Sequence, residues 1–146
     1  MTPYVALYFS PDVDELETWQ PKSPRDIYIW LQMNIGFRGE VGTDLFDLMI
    51  ASPEALRSHA GQFSCIVNDR LDGFPDCEKR NRNLVGRCLV ARHHLIVMDY
   101  NWTELRTVIE AIVASCEAPT WEEAASKLSR YFAWEYEDYV TPGAED

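Results

Sequence analysis

Between residues 27 and 35 the side chains alternate without a break. Ile27, Ile29, Leu31, Met33 and Ile35 fall on one face of an extended chain, and Tyr28, Trp30, Gln32 and Asn34 fall on the other. A helix cannot use that pattern, because neighbours on one helical face recur every three to four residues. Five apolar side chains in a row on one face require a sheet with something packed against it, and no other stretch limits the fold so tightly.

The flanks read as partners for this strand. Tyr4–Phe9 is short, aromatic and β-prone, and Pro11 ends it. Residues 11–24 hold Pro11, Pro21 and Pro24 with the acids Asp12, Asp14, Glu15 and Glu17, and are expected to be an exposed connection. Gly36, Gly39 and Gly42 supply positive-φ positions for a turn, so Leu45–Ile50 is expected to return as the second arm of a hairpin. Ser52-Pro53-Glu54 opens a short helix with a capping serine, a proline at the first position and an acid in the first turn, and Gly61 is expected to stop it. Residues 62–86 are irregular in pattern, with a turn at Asp72-Gly73-Phe74-Pro75 and a basic stretch at Lys79–Arg82. Strand character returns in Leu89–Ala91 and Leu95–Met98.

The last third is helical. Asn101 followed by Glu104, and Thr120 followed by Glu123, have the spacing of capping boxes. Leu105, Val108, Ile109, Ile112, Val113 and Cys116 form the apolar face of the first helix, which Pro119 breaks. Trp121, Ala124, Ala125, Leu128 and Tyr131 or Phe132 form that of the second, with Glu123 and Lys127 one turn apart outside. Strands first and amphipathic helices later predict an α+β fold: an antiparallel β-sheet covered on one face by two C-terminal amphipathic helices, with a short helix after the first hairpin. At 146 residues, 47% of them hydrophobic, the chain suits a single domain over 1–146.

Charge narrows the function. The chain carries 24 acids and 13 bases, net −11, which repels nucleic acid and anionic lipid and attracts basic partners. The surplus is uneven: residues 1–60 hold nine acids and four bases, 61–95 four and six, and 96–146 eleven and three. No run of 18 apolar residues could span a membrane, and the start Met1-Thr2-Pro3-Tyr4 lacks a basic leader, so the expected location is the cytoplasm with reduced cysteines.

Catalytic signatures are missing: there is no GxSxG, Walker loop, HExxH or GxGxxG. Cys65, Cys77 or Cys88 could meet His59, His93 or His94 as a thiol pair, although buried cysteines are usually inert. The same cysteines with His93 are spaced by about ten residues, unlike zinc knuckles, so neither metal nor cofactor is expected. His93 and His94 should mark the start of a strand, one inward and one outward. Asp44 and Asp47 flank Phe46 in a strand, where Asp47 must be edge-exposed or hydrogen-bonded. Trp134, Tyr136 and Tyr139 alternate with Glu135, Glu137 and Asp138, as a last extended strand or as a surface for a basic protein.

Gly42-Thr43-Asp44-Leu45-Phe46-Asp47 with Ser52-Pro53, Leu95-Ile96-Val97 and Trp102, then Trp121-Glu122-Glu123 to Arg130 and Trp134–Tyr139, resemble immunity protein family eight. These are the small cytoplasmic antitoxins of polymorphic toxin and contact-dependent growth inhibition systems. The likeness covers most of the chain outside residues 61–86, which it marks as a family-variable insertion. It implies a protein that binds and neutralises a cognate toxin domain without chemistry, in a 1:1 complex. A basic nuclease fits best, since its phosphate-holding groove would accept an acidic inhibitor. Because members of one family face different toxins, the shared motif implies fold more than partner contact. The acids Glu135, Glu137, Asp138, Asp44 and Asp47 are then the expected partner-binding residues. The alternatives are a small thiol hydrolase using a Cys/His pair and an acidic nucleic-acid mimic.

Overall fold

In the computed structural model, which describes residues 1–63 and 92–136, the alternating stretch becomes strand β2 (Tyr28–Phe37). It lies between β1 (Pro3–Phe9) and β3 (Asp44–Ala51), antiparallel to both. Beyond β3 come two short strands, β4 (His94–Ile96) beside Met49–Ala51 and β5 (Ala133–Trp134) beside Phe46 and Asp47. The register sets Ile29 against Ile50, Leu31 against Leu48 and Met33 against Phe46. Leu31, Met33, Ile35, Phe46 and Ile50 are wholly buried.

The α+β class stands, with one change to the sheet: β4 runs parallel to β3, so the sheet is mixed rather than antiparallel throughout. Strand direction after a long connection leaves no mark in the hydrophobic pattern, and only a crossover can deliver a parallel partner. The last segment also differs. Strand β5 covers Ala133 and Trp134, and the chain turns at Glu135 and Tyr136 instead of staying extended. The expected features at Asp72–Pro75, Lys79–Arg82, Leu89–Ala91 and 137–139 lie outside the described residues.

Two of the three glycines have the turn geometry expected of them, Gly39 at φ +80 and Gly42 at φ +99. Gly36 serves otherwise: a Cβ there would sit 2.6 Å from the Gly42 carbonyl oxygen, so it permits a close backbone approach. The 11–24 connection is not wholly exposed either. Val13 and Leu16 enter the core while Asp12, Asp14, Glu15 and Glu17 face solvent.

The helices cover one face. In α2 (Trp102–Ser115), Leu105, Ile109 and Val113 are buried with the C-cap Cys116, whereas Val108 is exposed and Ile112 half-buried. The expected stripe was one residue too wide. In α3 (Trp121–Leu128), Ala124, Ala125 and Leu128 are buried and Phe132 follows them inward, leaving Tyr131 outside. Both caps form: Asn101 Oδ1 accepts from the Glu104 amide at 3.2 Å and Thr120 Oγ1 from the Glu123 amide at 3.3 Å. Lys127 does not join Glu123; its Nζ donates to the Glu117 carbonyl at 2.7 Å, tying α3 to the turn after α2.

Helix α1 (Pro53–Phe63) starts at Ser52 as expected but runs through Gly61, because one glycine near a helix end costs only about 1 kcal/mol. Ser52 is the one fully buried polar side chain among the described residues. Its Oγ accepts from the Ala55 amide at 3.2 Å, capping α1, and from the Ile27 amide at 2.9 Å, latching the entry to β2. Ser52→Ala leaves both buried amides unpaired and should cost about 2–3 kcal/mol in urea unfolding. A loss below 0.5 kcal/mol would show that the latch contributes nothing.

Candidate partner-binding surface

Asp44 begins β3 at the end where the Gly39–Gly42 turn delivers the chain. Its Oδ2 accepts two indole hydrogen bonds, from Trp121 Nε1 at 2.7 Å and from Trp134 Nε1 at 2.9 Å. Trp121 reaches it as the first residue of α3, and Trp134 as the last residue of β5. The rings close around Phe46: Trp134 stacks on it at 6.3 Å and 12°, and Trp121 meets it edge-on at 6.4 Å. Phe37 adds an edge contact to Trp121 at 5.2 Å. One half-buried carboxylate therefore joins β3, α3 and β5.

The neighbouring acids are also engaged. Asp47 Oδ1 accepts from Gln32 Nε2 at 3.1 Å, across the β2–β3 pair. Glu135 Oε1 accepts from the Leu45 amide at 3.1 Å, and its own amide donates to the Leu45 carbonyl at 3.0 Å, prolonging the β5 pairing by one residue. Asp44, Asp47 and Glu135 thus each hold part of the fold on or beside β3, Asp44 on the helix-covered face and Asp47 on the other. Glu137 and Asp138 lie outside the described residues.

A feature missed at the sequence level stands beside them. Val41, at the tip of the β2–β3 turn, is fully exposed, and a cleft of about 260 Å³ separates the tip from Trp121, with Glu40 and Asp44 on its walls. The signal was present, since an apolar residue in a glycine turn has no core to reach.

The second acidic region is at the opposite edge. Arg106 of α2 lies over the Tyr8 ring at 5.3 Å, with Nε 2.9 Å from Glu110 and a guanidinium nitrogen 3.8 Å from Glu17. Tyr8 donates its hydroxyl to Glu110 at 3.3 Å, and burial together with that carboxylate pushes the phenol well above its ordinary range.

Little here resembles a reaction centre. His93 and His94 do point apart: His93, in the left-handed region at φ 57, brings Nε2 to the Ser129 carbonyl at 3.0 Å, while His94 Nε2 lies 3.4 Å from the Tyr28 hydroxyl. Cys116 is buried, burial pushes its thiol up, and it donates to the Ile112 carbonyl at 3.4 Å. Cys65, Cys77 and Cys88 and the side chain of His59 lie outside what is described. Among the described residues no three His, Cys, Asp or Glu side chains gather as a metal site, and no helix is long and apolar enough to cross a membrane.

Asp44→Ala should destabilise the protein by about 2–3 kcal/mol, because two half-buried indole N–H groups lose a charged acceptor. Asp44→Asn retains one carbonyl oxygen and should lose about half as much. Tryptophan fluorescence during urea unfolding measures both. Equal stability of wild type and Asp44→Ala would remove this carboxylate from the account of the fold.

The residues that converge on Asp44 come from segments far apart in the chain, and the comparison with known families covers them all. A family model described as Immunity protein 8 matches residues 7–72 and 73–139. Neither a curated protein nor a solved structure matches the chain. With nearly its whole length matched, the chain belongs to the Immunity protein 8 family.

Proposed function

We propose that this protein binds the toxin domain of its own system in the bacterial cytoplasm and neutralises it by occlusion, in a 1:1 complex and without chemistry of its own. Membership of an immunity family carries the reading. The net charge of −11 extends it to the partner's character: a basic domain, of which a phosphate-gripping nuclease toxin is the favoured example. Such a toxin must present Lys and Arg to its substrate, and an acidic inhibitor seated there competes for the same groups.

The proposed contact at the β5 edge comprises Glu135, Glu137 and Asp138, with Asp44 and Asp47 behind them. Asp44 and Asp47 each have one carboxylate oxygen engaged inside the molecule. The exposed acids Glu122 and Glu123 at the start of α3, and Glu40 on the hairpin tip, extend the same negative sign around that end. Long-range attraction matters here because the toxin damages the cell until it is captured, and steering raises association rates.

Purified with the toxin domain encoded beside its gene, the protein should form a stable 1:1 complex tighter than micromolar and protect cells expressing that toxin. Failure of both would overturn the immunity reading. Raising salt from about 50 to 500 mM should slow association at least tenfold with a smaller effect on dissociation, since screening acts on approach. Equal changes in the two rates would remove electrostatic steering. The triple reversal of Glu135, Glu137 and Asp138 to lysine should weaken binding by about tenfold or more if these acids meet the toxin. Unchanged affinity, with native tryptophan fluorescence, would place the contact elsewhere.

A further inference from the structure

Strand β1 ends the sheet, among the described residues, on the side away from β4 and β5. Among the described residues, the backbone of Val5–Phe9 makes no hydrogen bond outside its ladder with β2. A sheet-edge strand with one neighbour leaves alternate amides and carbonyls unpaired along its outer side. That outer side is not open solvent. It forms one wall of a groove of about 450 Å³, whose other wall is Val13–Thr18 and which Trp102 and Arg106 close below.

The facing wall is held in place. Val13 and Leu16 are buried in the core, the Trp19 amide donates to the Glu15 carbonyl at 3.0 Å, and Thr18 Oγ1 donates to Glu15 Oε2 at 3.2 Å. Anchored so, the segment turns Asp14, Glu15 and Glu17 outward along the groove. Leu7 and Phe9 add exposed apolar surface on the β1 side. The groove already holds a guanidinium: Arg106 lies across the Tyr8 ring beside Glu110 and Glu17. Its walls therefore have the chemistry that accepts an arginine or lysine side chain, with more carboxylates than this one cation neutralises.

Three properties coincide in one place: unpaired strand backbone, exposed apolar side chains and an excess of negative charge. Unpaired backbone selects an extended chain, since an added strand satisfies the edge groups in register. Excess carboxylate selects a basic segment. We propose that an extended, Lys- or Arg-bearing segment of the toxin adds to the outer edge of β1 as a further strand and seats its cationic side chains against Asp14, Glu15 and Glu17. The irregular register between Val5 and Leu7 divides β1 into two short regular runs, and the Leu7–Phe9 run is the one nearer the acids of residues 14–17. That irregularity also discourages indiscriminate edge pairing by other chains, so charge is needed to select the occupant. The proposal rests on the immunity reading and names a contact at the edge opposite Glu135.

Amide hydrogen exchange of the full-length protein, free and saturated with the catalytically inactivated toxin domain encoded beside its gene, tests the idea directly. Those amides among Leu7, Tyr8 and Phe9 that face away from β2 should exchange at least tenfold more slowly in the complex. E15K/E17K should bind at least tenfold more weakly, whereas E54K/E117K, an equal change of net charge away from the groove, should change affinity less than threefold. Toxin binding with β1 exchange unaltered overturns strand addition and leaves the immunity reading intact. Equal weakening by the two double variants overturns the groove as the charged contact. No binding of wild type at all overturns both.

Discussion

Asp44 Oδ2 accepting two indole N–H groups is the interaction that holds β3, α3 and β5 together. A two-residue strand such as β5 has almost no pairing energy of its own, and an eight-residue helix such as α3 is too short to persist alone in water. Each gains its position by sending a tryptophan to the same carboxylate while burying the ring against Phe46. The charged acceptor makes each bond stronger than a neutral pair would be, and the shared oxygen fixes the two rings relative to one another. Glu135 then clips the chain to Leu45 one residue later.

What could be read in the sequence was what depends on local order. The alternation of Ile27 to Ile35 carries the register of β2, and Asn101, Thr120 and Ser52 mark three helix starts through side-chain oxygens that reach amides only three residues ahead. The parallel entry of β4 depends on a connection whose path no periodicity encodes. Gly61 failed as a stop because a glycine ends a helix only where the backbone turns left-handed, which composition does not reveal. Val108 was assigned to the buried face because it is apolar, yet α2 is wide enough to bury only Leu105, Ile109 and Val113 fully.

The acids of the candidate site were legible as residues but not as partners. Asp47 was expected either to be exposed at an edge or to be hydrogen-bonded within the sheet, and it meets Gln32 directly across the ladder. Asp44 could be seen near Phe46, but its indole donors lie 77 and 90 residues downstream. Pairings of that span follow from packing two helices on one sheet. By contrast the 11–24 connection does carry a local signal, overlooked because its prolines suggested a plain loop: apolar Val13 and Leu16 are set among acids at a spacing that lets both point inward.

That arrangement bears on how a basic partner, as proposed, would be selected. Charge summed over the whole surface draws in any basic protein, and at physiological salt its reach is only about 8 Å, so it cannot by itself choose among basic domains. Choice requires directional groups, and a free strand edge supplies them at fixed spacing while its bordering side chains set which sequence fits. The residues that meet at Asp44 are committed to holding β3, α3 and β5 together, and changing them risks the fold. Val13 and Leu16 anchor the 12–17 segment in the core, and its acids make only exposed contacts, Asp12 with the Trp30 amide, Glu15 with Thr18 and Glu17 with Arg106, where substitution costs less than at Asp44. These two acidic regions lie on opposite edges of the described sheet, so a substitution in one leaves the hydrogen bonds of the other intact.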